Sequence, residues 1–153
     1  MDIVRTLDAR AAPSRIFALV DDLAVYPTWM PLVHGVTAVD SPDGSHPAWD
    51  VELRAKVGPF ARSKRLRMVR RERVAPDLAV FERAEVDGRS HAPWVLRVAI
   101  APTAEGGTTS RLTMSLHYGG SLWTGAALHR VLDHEVELGR TNLLAMLSAE
   151  PTR

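Results

Sequence analysis

The chain has 153 residues, 46% of them hydrophobic, and its 19 Lys and Arg against 18 Asp and Glu leave a net charge of +1. That length fits one domain, large enough to bury a core without metal or disulfide support, and the absence of Cys excludes disulfides, thiolate nucleophiles and Cys-ligated metals. The balanced charge argues against nucleic acid as a partner.

The opening Met1-Asp2-Ile3-Val4-Arg5 has no basic segment leading into an apolar core, so it does not read as a secretion signal. No apolar run reaches the roughly 18–20 residues of a membrane span. The expectation is a cytoplasmic protein with no stable membrane insertion.

Residues 2–9 alternate as a first strand. Ala12-Pro13-Ser14 opens a short helix, with Pro tolerated in its first turn, and Ile16, Phe17, Leu19 and Val20 give it an apolar side. Pro27 and Pro31 forbid a long helix in the next segment, which reads as one or two helical turns. From Gly35 the period becomes two. Val36–Asp40 is a strand, and Ser41-Pro42-Asp43-Gly44 a turn. Trp49, Val51, Leu53, Ala55 and Val57 share one face of a strand that Gly58-Pro59 ends. Leu66 and Met68 face inward on the next, and Ala75-Pro76-Asp77 turns the chain again. Val80, Glu82, Ala84 and Val86 share a face, then Trp94, Leu96, Val98 and Ile100, then Leu112, Met114, Leu116 and Tyr118. Nothing breaks a helix from about 124 to 149, where Leu128, Leu132, Val136, Leu143 and Met146 form a stripe. The order predicts an antiparallel meander covered by one long amphipathic helix, with space between them for a small ligand.

That order and several motifs resemble the START-like (SRPBCC) superfamily, in its polyketide cyclase/dehydrase-type branch. Ala12-Pro13 before Ile16-Phe17-Ala18-Leu19-Val20-Asp21 is similar to the family's first helix, and Tyr26-Pro27-Thr28-Trp29 to its Tyr-Pro-x-Trp motif. Gly107-Thr108 fits a pair that often opens the last strand, and Leu143 and Leu147 fit the closing helix. The resemblance implies an α+β helix-grip fold: a curved seven-stranded antiparallel sheet around a C-terminal helix, two short helices after the first strand, and a single domain over 1–153. It also implies an apolar cavity that takes lipids, polyketides or isoprenoid-like molecules. It does not fix an activity.

Strand parity selects the polar candidates. Arg70 and Glu72 continue the inward phase of Leu66 and Met68. With a symmetric turn at 75–77, Arg70 lies opposite inward-facing Glu82. The pair then projects into the cavity or makes a structural ion pair near the sheet end, unless a register slip puts both in solvent. On the long helix Glu135 and Asn142 lie close to the apolar stripe. A buried Glu135 needs a partner, a proton or a cavity mouth; otherwise it sits at the stripe's edge. Trp29, Trp49, Trp94 and Tyr118 are read as lining the space, with Met68, and Trp123 at the helix entrance as the least certain wall.

The basic run Arg62–Arg73 reads as a charge ladder beside Glu52 and Glu85. His129 and His134 are five apart, so they do not share a helix face as metal ligands would. No metal and no cofactor are expected. Two functions follow. One is carriage of a bulky apolar small molecule, oriented by Arg70, Glu82, Glu135 and Asn142, in a monomer or homodimer. The other is a cyclase/dehydratase with Glu82 or Glu135 as general base and Arg70 stabilising an oxyanion.

Overall fold

A computed structural model of the chain describes residues 2–41, 44–103, 109–119 and 126–149. Strand β1 (Asp2–Ala9) leads into helix α1 (Pro13–Val20) and a 3₁₀ helix (Leu23–Thr28). Six strands follow: β2 (Val33–Val39), β3 (Ala48–Val57), β4 (Phe60–Val74), β5 (Leu78–Arg83), β6 (Trp94–Pro102) and β7 (Ser110–Tyr118). Helix α2 (Ala126–Ser148) completes the order. The strands make one sheet in the order β1-β7-β6-β5-β4-β3-β2, every pair antiparallel. The α+β helix-grip architecture expected from the sequence is the one observed. The predicted Pro42-Asp43 turn residues, Glu105–Thr108, Trp123 and the first two residues of the predicted long helix lie outside the described residues.

Local chemistry explains the entry segment. Pro13 sits in the first turn of α1, where its missing N–H costs nothing. Asp22 Oδ1 accepts from the Ala24 N–H at 2.9 Å and caps the 3₁₀ helix. A helix leaves its last carbonyls without intrahelical donors, and at α1 side chains supply them. The Trp29 indole donates to the Leu19 carbonyl at 3.0 Å, and the Tyr26 hydroxyl to that of Val20 at 2.8 Å. Arg70 Nη1 donates to the next carbonyl, Asp21, at 2.7 Å. The Tyr-Pro-x-Trp segment is thus folded back under α1 as its C-terminal cap.

The core lies between the concave sheet face and the helices. Its largest members include Trp29, Tyr118, Phe81 and Ile16. Helix α2 is held from three sides. Arg140 Nε donates to the Thr6 carbonyl at 2.8 Å, and Asn142 Nδ2 to the Trp29 carbonyl at 3.1 Å. Arg15 Nη1 and Nη2 donate to the carbonyls of Leu147 (2.6 Å) and Met146 (3.1 Å), placing a cation at the negative end of the helix.

The β4–β5 register differs from the symmetric closure predicted. Arg70 pairs with Phe81, and Val69 with Glu82, so Arg70 and Glu82 are not opposite each other. The register shifts between Arg70 and Glu72, which leaves Arg71 as an extra residue, a β-bulge. One extra residue reverses the facing of everything beyond it. Glu72 is therefore exposed, and Arg73 turns inward over the Phe17 ring at 5.2 Å. On β5 the buried residues are Ala79 and Phe81, and Val80 and Glu82 take the other face.

Candidate functional site

Between α2, the 3₁₀ segment and the concave sheet lies a cavity of about 130 Å³. Its walls come from nearly every element. Leu7 of β1, Trp29 and Met30 after the 3₁₀ helix, Leu66 and Met68 of β4, and Leu143 of α2 are representative. Helix α2 presents Val136, Arg140 and Leu143 to it, spaced four and three as one helix face requires. Among the described residues the lining contains no Asp, Glu or His. Tyr26 and Trp29 line it with their polar tips already tied to the end of α1.

Beside the indole of Trp94, the polar residues left on the lining are Arg5, Thr6 and Arg140, along the seam between β1 and α2. Arg5 pairs with Asp133 and approaches Glu137 of α2 at 3.5 Å. Arg5 and Arg140 are half-exposed, which marks the seam as the cavity's wet side. Neither residue was among the sequence candidates. The same parity rule reaches them, since Arg5 lies between inward Ile3 and Leu7, and Arg140 lies one helical turn beyond Val136.

Three of the predicted residues, Trp29, Met68 and Trp94, line the cavity. Trp49 and Tyr118 are buried core instead. Trp49 packs on Phe81 at 5.9 Å, and Tyr118 on Trp94 at 5.0 Å. The four polar candidates are not brought together. Arg70 is drawn to the end of α1, its guanidinium 5.8 Å from the Trp49 ring centroid. Glu82 lies on the outer sheet face, 3.8 Å from Arg71. Glu135 is half-buried at the edge of the α2 stripe, one residue off the face that lines the cavity. Asn142 spends its amide on the Trp29 carbonyl. Asp133 reaches across the seam to Arg5.

Burial lowers the pKa of Arg70, with Arg73 nearby adding to the effect. Its hydrogen bond to a helix-terminal carbonyl and its stacking on Trp49 are structural contacts. Arg70→Met is expected to cost about 1.5–3 kcal/mol in urea unfolding, the range for a hydrogen bond from a charged group. Uptake of an apolar probe should stay within about twofold of wild type; a larger loss would return Arg70 to the binding site.

Burial holds the Tyr26 phenol well above the usual tyrosine range, and the nearby Asp21 charge adds to it. The folded state therefore favours the protonated phenol. That contribution is complete below the unfolded-chain value of about 10 and is lost as pH rises above it. Stability measured from pH 8 to 11 should fall more steeply in wild type than in Tyr26→Phe. Parallel curves for the two proteins would contradict this.

A family model described as polyketide cyclase / dehydrase and lipid transport matches residues 1–150. No curated protein matches significantly. Among solved structures, a START superfamily protein from Mycobacterium smegmatis is 16% identical, with a TM-score of 0.71 over 96% of this chain and 97% of that one. A protein from Thermus thermophilus is also 16% identical, with a TM-score of 0.73 over 99% of this chain and 100% of that one. The di-domain ARO/CYC BexL from the BE-7585A biosynthetic pathway is 17% identical, with a TM-score of 0.65 over 99% of this chain but 51% of that one. At these identities the likeness is one of fold.

Proposed function

The chain belongs to the polyketide cyclase / dehydrase and lipid transport family, and from that premise we propose that it binds an apolar, ring-containing small molecule in the cavity beneath α2. The observation that carries this reading is the lining itself: hydrocarbon and aromatic surface, with its charged residues, Arg5 and Arg140, gathered at one seam. Burying apolar ligand surface contributes about 25 cal/mol per Å². An apolar cavity of about 150 Å³ stays dry and admits a guest the size of benzene, so a volume of about 130 Å³ fits one ring. A larger ligand extends through the β1–α2 seam, where Arg5, Thr6 and Arg140 orient its polar end, or displaces Met30.

A cyclase/dehydratase reading has support in the family description and in the fold shared with BexL. It needs a base beside the substrate carbon. The absence of carboxylates and imidazoles from the described lining favours binding over such chemistry.

Mass spectrometry of protein purified under native conditions, with displacement of a naphthalene-based fluorescent probe, tests the proposal. An apolar compound that co-purifies, or saturable one-to-one probe uptake, is the expected result. Neither would be seen if the cavity is only a packing defect.

A further inference from the structure

We propose that the β3–β4 hairpin docks the protein on an anionic lipid surface, with Phe60 as its interfacial anchor. Strand β5 pairs with β4 only from Met68 onward, and β2 pairs with β3 only as far as Leu53. Beyond buried Ala55, residues 56–63 therefore project as a two-stranded ribbon that turns at Gly58, whose φ of 63° suits glycine. Phe60 stands at its end, 70% exposed, the most exposed large hydrophobic residue described.

Residues 54–65 carry five cations, Arg54, Lys56, Arg62, Lys64 and Arg65, and no acidic residue. Glu52, at the base, is 3.4 Å from Arg54 and pairs across the ladder with Arg65. The register spreads the cations over both faces. Arg62 and Lys64 share the phase of Phe60 and of Leu66, whereas Arg54, Lys56 and Arg65 take the other. An aromatic tip with cations behind it on both faces matches the layering of an anionic membrane surface, with phosphates outside and acyl chains just beneath. Charges on a free strand edge also discourage pairing between copies, but that purpose does not call for an exposed Phe at the tip. The face carrying Phe60 continues through Ala55 to Leu53 and Leu66, which line the cavity. The inference rests on the hairpin alone and stands whether or not the cavity takes a ligand.

Vesicle co-sedimentation tests it. Wild type should bind phosphatidylcholine vesicles containing about one part in three phosphatidylserine, bind pure phosphatidylcholine at least about tenfold less, and release with salt. Phe60→Ser should lower the partition about tenfold, and Lys56→Glu with Arg62→Glu should lower it at least as much. Unchanged thermal midpoints would show that both variants fold. Phe60→Trp should keep binding and shift its fluorescence to the blue on vesicles, a second reading that depends on neither loss. Equal binding to neutral vesicles, wild-type binding by Phe60→Ser, or no fluorescence shift in Phe60→Trp would overturn the proposal. So would tighter binding to a single-stranded oligonucleotide than to the vesicles, which would assign the ribbon to nucleic acid.

Discussion

Replacing Trp29 by Ala should lower the unfolding free energy by about 3–5 kcal/mol, the range for deleting a buried aromatic side chain. Trp29 is 1% exposed and packs on Tyr26 with ring centroids 4.7 Å apart. Its indole N–H is the donor to the Leu19 carbonyl, so the substitution also leaves a helix-end acceptor without its partner. Domains of this size are stable by about 5–15 kcal/mol, so the substitution removes a large share of the total. Asn142→Ala is the internal comparison. It removes one hydrogen bond to the Trp29 carbonyl and should cost only about 1 kcal/mol. Urea unfolding of both proteins separates the two; a loss below about 1 kcal/mol for Trp29→Ala would mean that the segment does not anchor α1 and α2 as described.

Val136→Trp should reduce uptake of an apolar probe about tenfold or more while the protein stays folded. Val136 is half-buried and lines the cavity from α2, so a larger side chain grows into the space a ligand would occupy. Overpacking of this kind costs about 1–3 kcal/mol, within reach of a stable domain. Gly139→Ala is a finer version. A Cβ there would lie 2.6 Å from the Met30 sulfur and methyl carbon. The flexible end of Met30 can yield, but Met30 is itself a cavity wall. Ala in mid-helix gains about 0.5–1 kcal/mol over Gly, which offsets the crowding. The expected outcome is near-wild-type stability with weakened probe binding, read by thermal melts and probe titration. Equal probe affinity in both variants and wild type would place the ligand elsewhere.

The sheet and helices were legible because alternation and the 3.6 period are written in apolar residues. Trp49 to Ala55 announces its face, and so does Leu112 to Tyr118. The bulge at Arg71 was not legible. Arg70, Arg71, Glu72 and Arg73 are all charged, so no apolar side chain marks where the phase reverses. The register error that placed Arg70 opposite Glu82 follows from that one residue. Arg70 shares its sheet face with Phe81, its cross-strand partner. Its destination depends on the end of α1, a contact 49 residues away in sequence that strand parity does not encode. Arg5 and Arg140 show the converse. Their positions obey the pattern, but an arginine on an apolar face reads as surface until the seam between β1 and α2 is seen to be open.

If the space beneath α2 holds an apolar guest, a methyl-resolved NMR titration with benzene should reveal it. Saturable shifts are expected, confined to lining residues, Leu7, Leu66, Met68, Leu112, Met114 and Leu143 among them, with exposed Val74 and Val86 unmoved. Shifts that stay linear with benzene concentration, or that appear first at the exposed methyls, would mean that the cavity is not where an apolar molecule binds.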